Sequence, residues 1–170
     1  MDRREFLLTT GGLAAMAAAG GAFADHQYAD MDFDTLDKKH THWKKLLTDE
    51  QFHVMFEDGT EPPGSSALND EKRDGTYLCA ACFLPLFSSQ WKFDSGTGWP
   101  SFYRSMDGHT DTSRDWRLLL PRTEYHCTRC GAHQGHVFDD GPPPTGKRWC
   151  NNGVALRFVP EGEPLPELRS

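Results

Sequence analysis

The chain of 170 residues carries a formal charge of −7, which argues against a nucleic-acid backbone as the main partner, because phosphate binding needs a basic face. Its length suits one domain of ordinary size, and 37% hydrophobic residues with 12% aromatics suffice for a packed core and exclude a disordered composition. No repeat of the solenoid or propeller kind is present.

Residues 1–24 read as an export signal and not as part of the fold. An arginine pair, Arg3 and Arg4, precedes an Ala-, Gly- and Leu-rich stretch that ends in the small-residue site Ala22-Phe23-Ala24. The stretch is too short and too glycine-rich for a stable span, so no lasting membrane association is expected. "RREFL" resembles a twin-arginine (Tat) signal, which points to the periplasm. Export to an oxidising compartment puts free thiols at risk, and five cysteines leave at least one without an internal partner.

Residues 25–45 form a polar segment, and from Asp25 to about Thr48 Phe33, Leu36, Trp43, Leu46 and Leu47 are spaced for one or two helical turns. The main domain is expected over 46–160. It opens on a helix with Thr48 as N-cap and Gln51 three residues on, a capping box. "GTEPPGSS" is loop, "GTYLCAACFLPLF" a strand broken by a cysteine knuckle, and "KFDSGTGWPSFY" a Gly/Pro-punctuated loop. "DWRLLLPRTEYHCTRCGAHQGHVF" alternates β-formers with turn residues, and "KRWCNNGVALRFVP" adds a further short apolar run. Three prolines in "DDGPPPTGK" exclude helix and central strand. The tail, 161–170, is expected to be exposed and loosely ordered. These elements predict a mainly β, antiparallel domain with short N-terminal helices.

Cys79 and Cys82 form one C-x-x-C, and Cys127 and Cys130 another. Two residues between thiolates let one turn present both to a metal, so the four match a tetrahedral, all-cysteine site for one structural Zn2+. Two disulfides, a thioredoxin-like redox motif or an iron–sulfur cluster are the alternatives. The redox motif lacks a βαβ setting. With those four assigned, Cys150 in "GKRWCNNG" is left over. It is either a small buried hydrophobe or a nucleophile. His133 and His136, in "GAHQGHVFDDG", are candidate metal ligands, structural residues or acid–base groups.

"EQFHVMFEDGTEPP", "KFDSGTGWPSF", "CTRCGAHQGHVFDDGP" and "RWCNNGVALRF", with the two knuckles, closely resemble the methionine-R-sulfoxide reductases of the B type. The resemblance implies two antiparallel sheets in a barrel-like arrangement, with the metal on the side away from the active site. It implies that Cys150 attacks the sulfoxide sulfur and becomes a sulfenic acid, while His133 and His136 bind and protonate the oxygen. Trp99 would pack on the substrate methyl group, with Phe102 beside it, and Asn152 would complete the polar side. Arg148 would favour the Cys150 thiolate, or serve as a structural charge. Substrates would be oxidised proteins or free methionine sulfoxide, and the protein is expected to act as a monomer.

Thr97 stands where many members of that family carry a resolving cysteine. Regeneration would then fall to an external thiol, either small or thioredoxin-like, or to a knuckle cysteine. The rival readings are a non-catalytic zinc-binding interaction module and a Cys-His hydrolase. The first leaves Cys150, the histidines and "GWPSF" without work, and the second lacks a glycine-framed nucleophile turn.

Overall fold

The computed structural model describes residues 28, 31–116 and 121–170, so the expected export signal lies outside the described residues. Among the described residues, helices α1 (His40–Trp43) and α2 (Asp49–Phe56) precede the sheets. The capping box of α2 is formed as expected, with Gln51 N–H donating to Thr48 Oγ1 at 3.1 Å and Thr48 N–H to Gln51 Oε1 at 3.2 Å. Gln51 also reaches the carbonyl of Val154 at 3.2 Å, which docks α2 on the turn beyond Cys150. Phe33 and Leu36 are not helical. Their stretch has no regular secondary structure, Phe33 meets His109 edge-on, and the Leu36 amide bonds to the Arg129 carbonyl. Pairing with the domain there outweighs the weak helical spacing of a short polar segment.

Among the described residues nine strands follow, arranged as two antiparallel sheets. One has the order β2 (Pro85–Ser88), β1 (Gly75–Cys79), β9 (Leu156–Pro160). The other runs β3 (Lys92–Phe93), β4 (Ser101–Phe102), β8 (Arg148–Asn151), β7 (His133–Phe138), β6 (Arg122–Cys127), β5 (Thr110–Asp115). Strand alternation sends one set of side chains inward from each sheet. Tyr77 and Phe87 from the first meet Phe102, Tyr125 and Trp149 from the second. Phe87 stacks on Phe102 at 4.2 Å, and Tyr125 meets Trp149 edge-on at 4.8 Å. Each such side chain contributes about 1.5–3 kcal/mol by leaving water. The mainly β fold of two antiparallel sheets is as the sequence predicts, although the sheets do not close into a barrel.

The tail is anchored rather than loose. Arg169 N–H donates to the Cys82 carbonyl at 3.0 Å, Arg129 donates to the Arg169 carbonyl at 2.6 Å, and the Arg169 guanidinium lies over Phe83. No helix among the described residues is long and apolar enough to cross a membrane.

Candidate active site and metal centre

The two knuckles repeat one local design. Phe83 N–H bonds to the Cys79 carbonyl at 2.9 Å and Gly131 N–H to the Cys127 carbonyl at 2.8 Å. The residue after each second cysteine has positive φ, 70° at Gly131 and 64° at Phe83. Glycine takes that conformation freely. Phe83 takes it at a cost, with its ring covered by Arg157 and Arg169. The turns bring Cys79 Sγ to 3.7 Å from Cys130 Sγ and Cys82 Sγ to 3.5 Å from Cys127 Sγ, with all four sulfurs within 4.8 Å of one another. A tetrahedral ion with metal–sulfur bonds of about 2.3 Å separates its sulfurs by about 3.8 Å, so the four fit one metal. The paired sulfurs stand 3.5 and 3.7 Å apart, well beyond a disulfide bond of about 2.05 Å, so the four are not joined as two disulfides. Gln134 Nε2 donates to Cys79 Sγ at 3.5 Å, which orients one ligand.

Strand register builds the other site. On a regular strand His133 and His136, three apart, would face opposite sides. A register shift between Tyr125 and His126 on β6 sets His126 against His133 but Glu124 against His136, and so gathers both histidines on one face. Next across the sheet, Cys150 on β8 pairs with His136, and Ser101 on β4 pairs with Cys150. Directly opposed side chains have Cβ atoms about 4.5–5.5 Å apart, so Ser101, Cys150, His136 and Glu124 form a row. Arg148, Phe138, Arg122 and Asp115 make the row beside it. Tyr125 and Cys127 point to the opposite face of β6, which puts the cysteine cluster behind the sheet. Gly135 is what allows β7 and β8 this close, since a Cβ there would stand 1.9 Å from the Cys150 carbonyl oxygen.

The face opens on a cavity of about 110 Å³ lined by Trp99, Arg122, His136, Phe138, Cys150 and Asn152. A roomier hollow of about 420 Å³ lies where the tail crosses β1 and β9, away from every candidate residue. Trp99 is fixed by its indole N–H, which donates to the Glu61 carbonyl at 3.1 Å. Asn152 lines the cavity, but its amide is committed to the frame. Its Oδ1 accepts from Glu61 N–H at 3.1 Å and its Nδ2 donates to the Gln134 carbonyl at 3.0 Å. Phe102, expected beside the substrate, is instead wholly buried in the core, because it lies one residue out of phase with Ser101 and faces Phe87.

His133 also differs from the expectation. It is 4% exposed and sits behind His136, with ring centroids 5.5 Å apart, and does not line the cavity. Its Nδ1 lies 2.5 Å from Glu124 Oε1, at ion-pair distance but without hydrogen-bond alignment. His136 Nε2 donates to Asp115 Oδ2 at 3.0 Å, and Arg122 holds the same carboxylate oxygen at 2.8 Å. Burial pushes the pKa of both imidazoles below the ordinary histidine value, against the pull of Glu124 on His133 and of Asp115 on His136. Both are therefore neutral in the resting site near pH 7.

Burial likewise pushes the Cys150 thiol up, opposed by Arg148 and by hydrogen bonds from Thr97, Arg148 and Ser101. Arg148 is held by a two-pronged ion pair with Asp140, 2.8 Å at each oxygen, and by its position over the Phe138 ring. Thr97 belongs to a hydroxyl cluster in which Ser95 Oγ lies 2.8 Å from both Thr97 Oγ1 and Ser101 Oγ. The position lacking a second cysteine thus carries a hydroxyl turned to the Cys150 sulfur.

Sequence reading missed Glu61. Its carboxylate, 2% exposed, accepts from the backbone N–H groups of Gly153 at 2.6 Å and Val154 at 2.9 Å. The same residue's backbone fixes Trp99 and Asn152, so one position ties the loop before β1 to both walls of the cavity. Its only sequence signal is a carboxylate within the quoted "EDGTEPP" stretch.

Comparison with known proteins places this geometry. The SelR domain family matches residues 47–160. The peptide methionine sulfoxide reductase MsrB of Methanosarcina barkeri is 50% identical over 129 residues, covering 75% of this chain and 91% of the relative. The protein of the same name from Pseudomonas putida strain W619 is 51% identical over 126 residues, covering 74% and 95%. The row of Cys150 and His136, the Trp99 wall and the four-cysteine cluster behind them all fall within the matched span, and the chain belongs to the SelR-domain family of MsrB proteins.

Proposed function

We propose that the chain reduces methionine sulfoxide to methionine, acting on the R epimer and chiefly on oxidised proteins, with Cys150 as nucleophile. The observation that carries this reading is the cross-strand pairing of Cys150 with His136 at the floor of a small cavity walled by Trp99. About 110 Å³ suits the end of one side chain and not a drug-sized ligand. The sulfoxide methyl group would rest on the Trp99 indole, with the oxygen toward His136 and Arg122.

The resting pair is a thiol and a neutral imidazole, and this sets the proton path. The Cys150 proton passes to His136 as Sγ attacks the sulfoxide sulfur, and His136 then delivers it to the departing oxygen. The S–O bond breaks and releases hydroxide, leaving Sγ bonded to the substrate sulfur as a sulfonium. Hydroxide then attacks Sγ and breaks that S–S bond, so Cys150 ends as a sulfenic acid and methionine leaves reduced. His133 and Glu124 position His136 from behind. An external thiol R–SH then attacks the sulfenic acid, releasing water, and a second thiol resolves the mixed disulfide to restore Cys150. Support for the external route comes from Thr97 and from the burial of all four knuckle cysteines behind the sheet.

Cys79, Cys82, Cys127 and Cys130 would hold one Zn2+, which has no redox chemistry and would clamp the β1–β2 turn to the β6–β7 turn. Export through the Tat route, after folding and metal loading in the cytoplasm, and action in the periplasm as a monomer complete the reading. The deciding test is turnover of separated methionine sulfoxide epimers with dithiothreitol by wild type and Cys150→Ser. Consumption of the R epimer alone, abolished by the substitution, is expected. Folded, metal-loaded protein that consumes neither epimer would refute the proposal.

A further inference from the structure

Three potential ligands converge on the inner side of His133. Glu124 and His126, two apart on β6, share one face, and the register shift sets His133 directly opposite His126. Glu124 Oε1 is 3.4 Å from His126 Nε2 and 2.5 Å from His133 Nδ1, and all three ligand atoms lie within 4.8 Å of one another. Glu124 Oε1 and His133 Nδ1 are buried atoms with no aligned hydrogen bond, in side chains 8% and 4% exposed. Buried polar atoms of that kind are rare and costly, and a cation between them would satisfy both. A plain His133–Glu124 ion pair would account for two of the three groups. It gives no reason for a second imidazole nitrogen at 3.4 Å from the same oxygen.

We propose that Glu124, His126 and His133 form a second metal site, separate from the four cysteines, for a divalent transition ion of the Zn2+ class. Two imidazoles and a carboxylate are a donor set that such ions take, with bonds of about 2.0–2.2 Å and ligand atoms about 3.3–3.6 Å apart in a tetrahedral site. The Glu124–His126 spacing already fits, and the Glu124–His133 contact opens to it by a small rotation of the carboxylate. His126, 26% exposed, is the entry point for the ion, and Asp111 stands opposite it on β5. Occupation takes His133 and Glu124 away from His136. It therefore slows the reaction proposed above, the one consequence that rests on that reading.

Zn2+ is titrated calorimetrically at pH 7.5 into protein carrying its four-cysteine metal, in a Cys150→Ser background that removes the neighbouring thiol. One further equivalent is expected to bind, weakened at least about tenfold by His126→Ala, with the four-cysteine metal content unchanged. No further equivalent, or one that His126→Ala leaves intact, overturns the site whatever the enzyme's activity. With Cys150 in place, added Zn2+ is expected to inhibit turnover and His126→Ala to relieve the inhibition. Equal inhibition of both proteins overturns the link to catalysis.

Discussion

Replacing Glu61 by alanine removes one buried carboxylate and leaves two backbone N–H groups, those of Gly153 and Val154, without their acceptor. A buried donor left unsatisfied costs about 1–3 kcal/mol, so the two together come to about 2–6 kcal/mol. Part of this is offset, because burial already raises the Glu61 pKa, and the variant no longer holds a charge out of water. A net loss of about 3 kcal/mol lowers the Tm by about 10 °C in a domain of this size. Glu61→Gln keeps one acceptor oxygen but turns an NH2 group toward the other N–H, and should fall between alanine and wild type. The assay is thermal unfolding alongside steady-state reduction of methionine sulfoxide. KM should rise in both variants, because the turn that carries Asn152 and the loop that anchors Trp99 are no longer tied together. A Glu61→Ala protein that melts within about 2 °C of wild type, with unchanged KM, would refute the assigned role.

Alkylation of Cys150 by iodoacetamide should climb as pH rises through its raised pKa, since only the thiolate reacts. Arg148→Met removes the facing cation, moves the climb to higher pH, and slows alkylation at pH 7.5 roughly 3–10-fold; an unchanged profile would show that Arg148 acts on Asp140 alone. Thr97→Cys should yield an internal disulfide with Cys150 after one equivalent of sulfoxide, whereas wild type should yield a mixed disulfide with added thiol, both read by intact mass. Cys79→Ser should reduce bound zinc below one equivalent per chain and abolish cooperative unfolding. Binding of a structural zinc is worth about 10–16 kcal/mol, more than most domains have to spare. Retention of the metal and of a sharp transition would remove Cys79 from the ligand set.

Local signals were legible wherever a short spacing decides the geometry. The Thr48–Gln51 capping box needs only a donor and an acceptor three residues apart, and it formed as expected. Each C-x-x-C turn places its own two sulfurs, and the proline run excluded regular structure over the β7–β8 connection. The tail and the Phe33–Leu36 stretch were misjudged because their conformations are set by partners far along the chain, Cys82 and Arg129. Phe102 was misplaced for a different reason. Within a two-residue strand, nothing local says which of Ser101 and Phe102 faces the cavity.

The sequence by itself determined the chemistry available: one unpaired thiol, two nearby histidines, a tryptophan loop and four thiols spaced for a metal. Tertiary structure alone decided which of these meet. The register shift between β6 and β7, where Gln134 is the extra residue, turned His133 and His136 to one side, and pairing of β7 with β8 set Cys150 against His136. Burial then made the pair a thiol and a neutral imidazole. Glu61 gained its role only when residues more than ninety positions away came to rest on its carboxylate. Such roles depend on long-range strand pairing and on desolvation, and neither is encoded in the spacing of neighbouring residues.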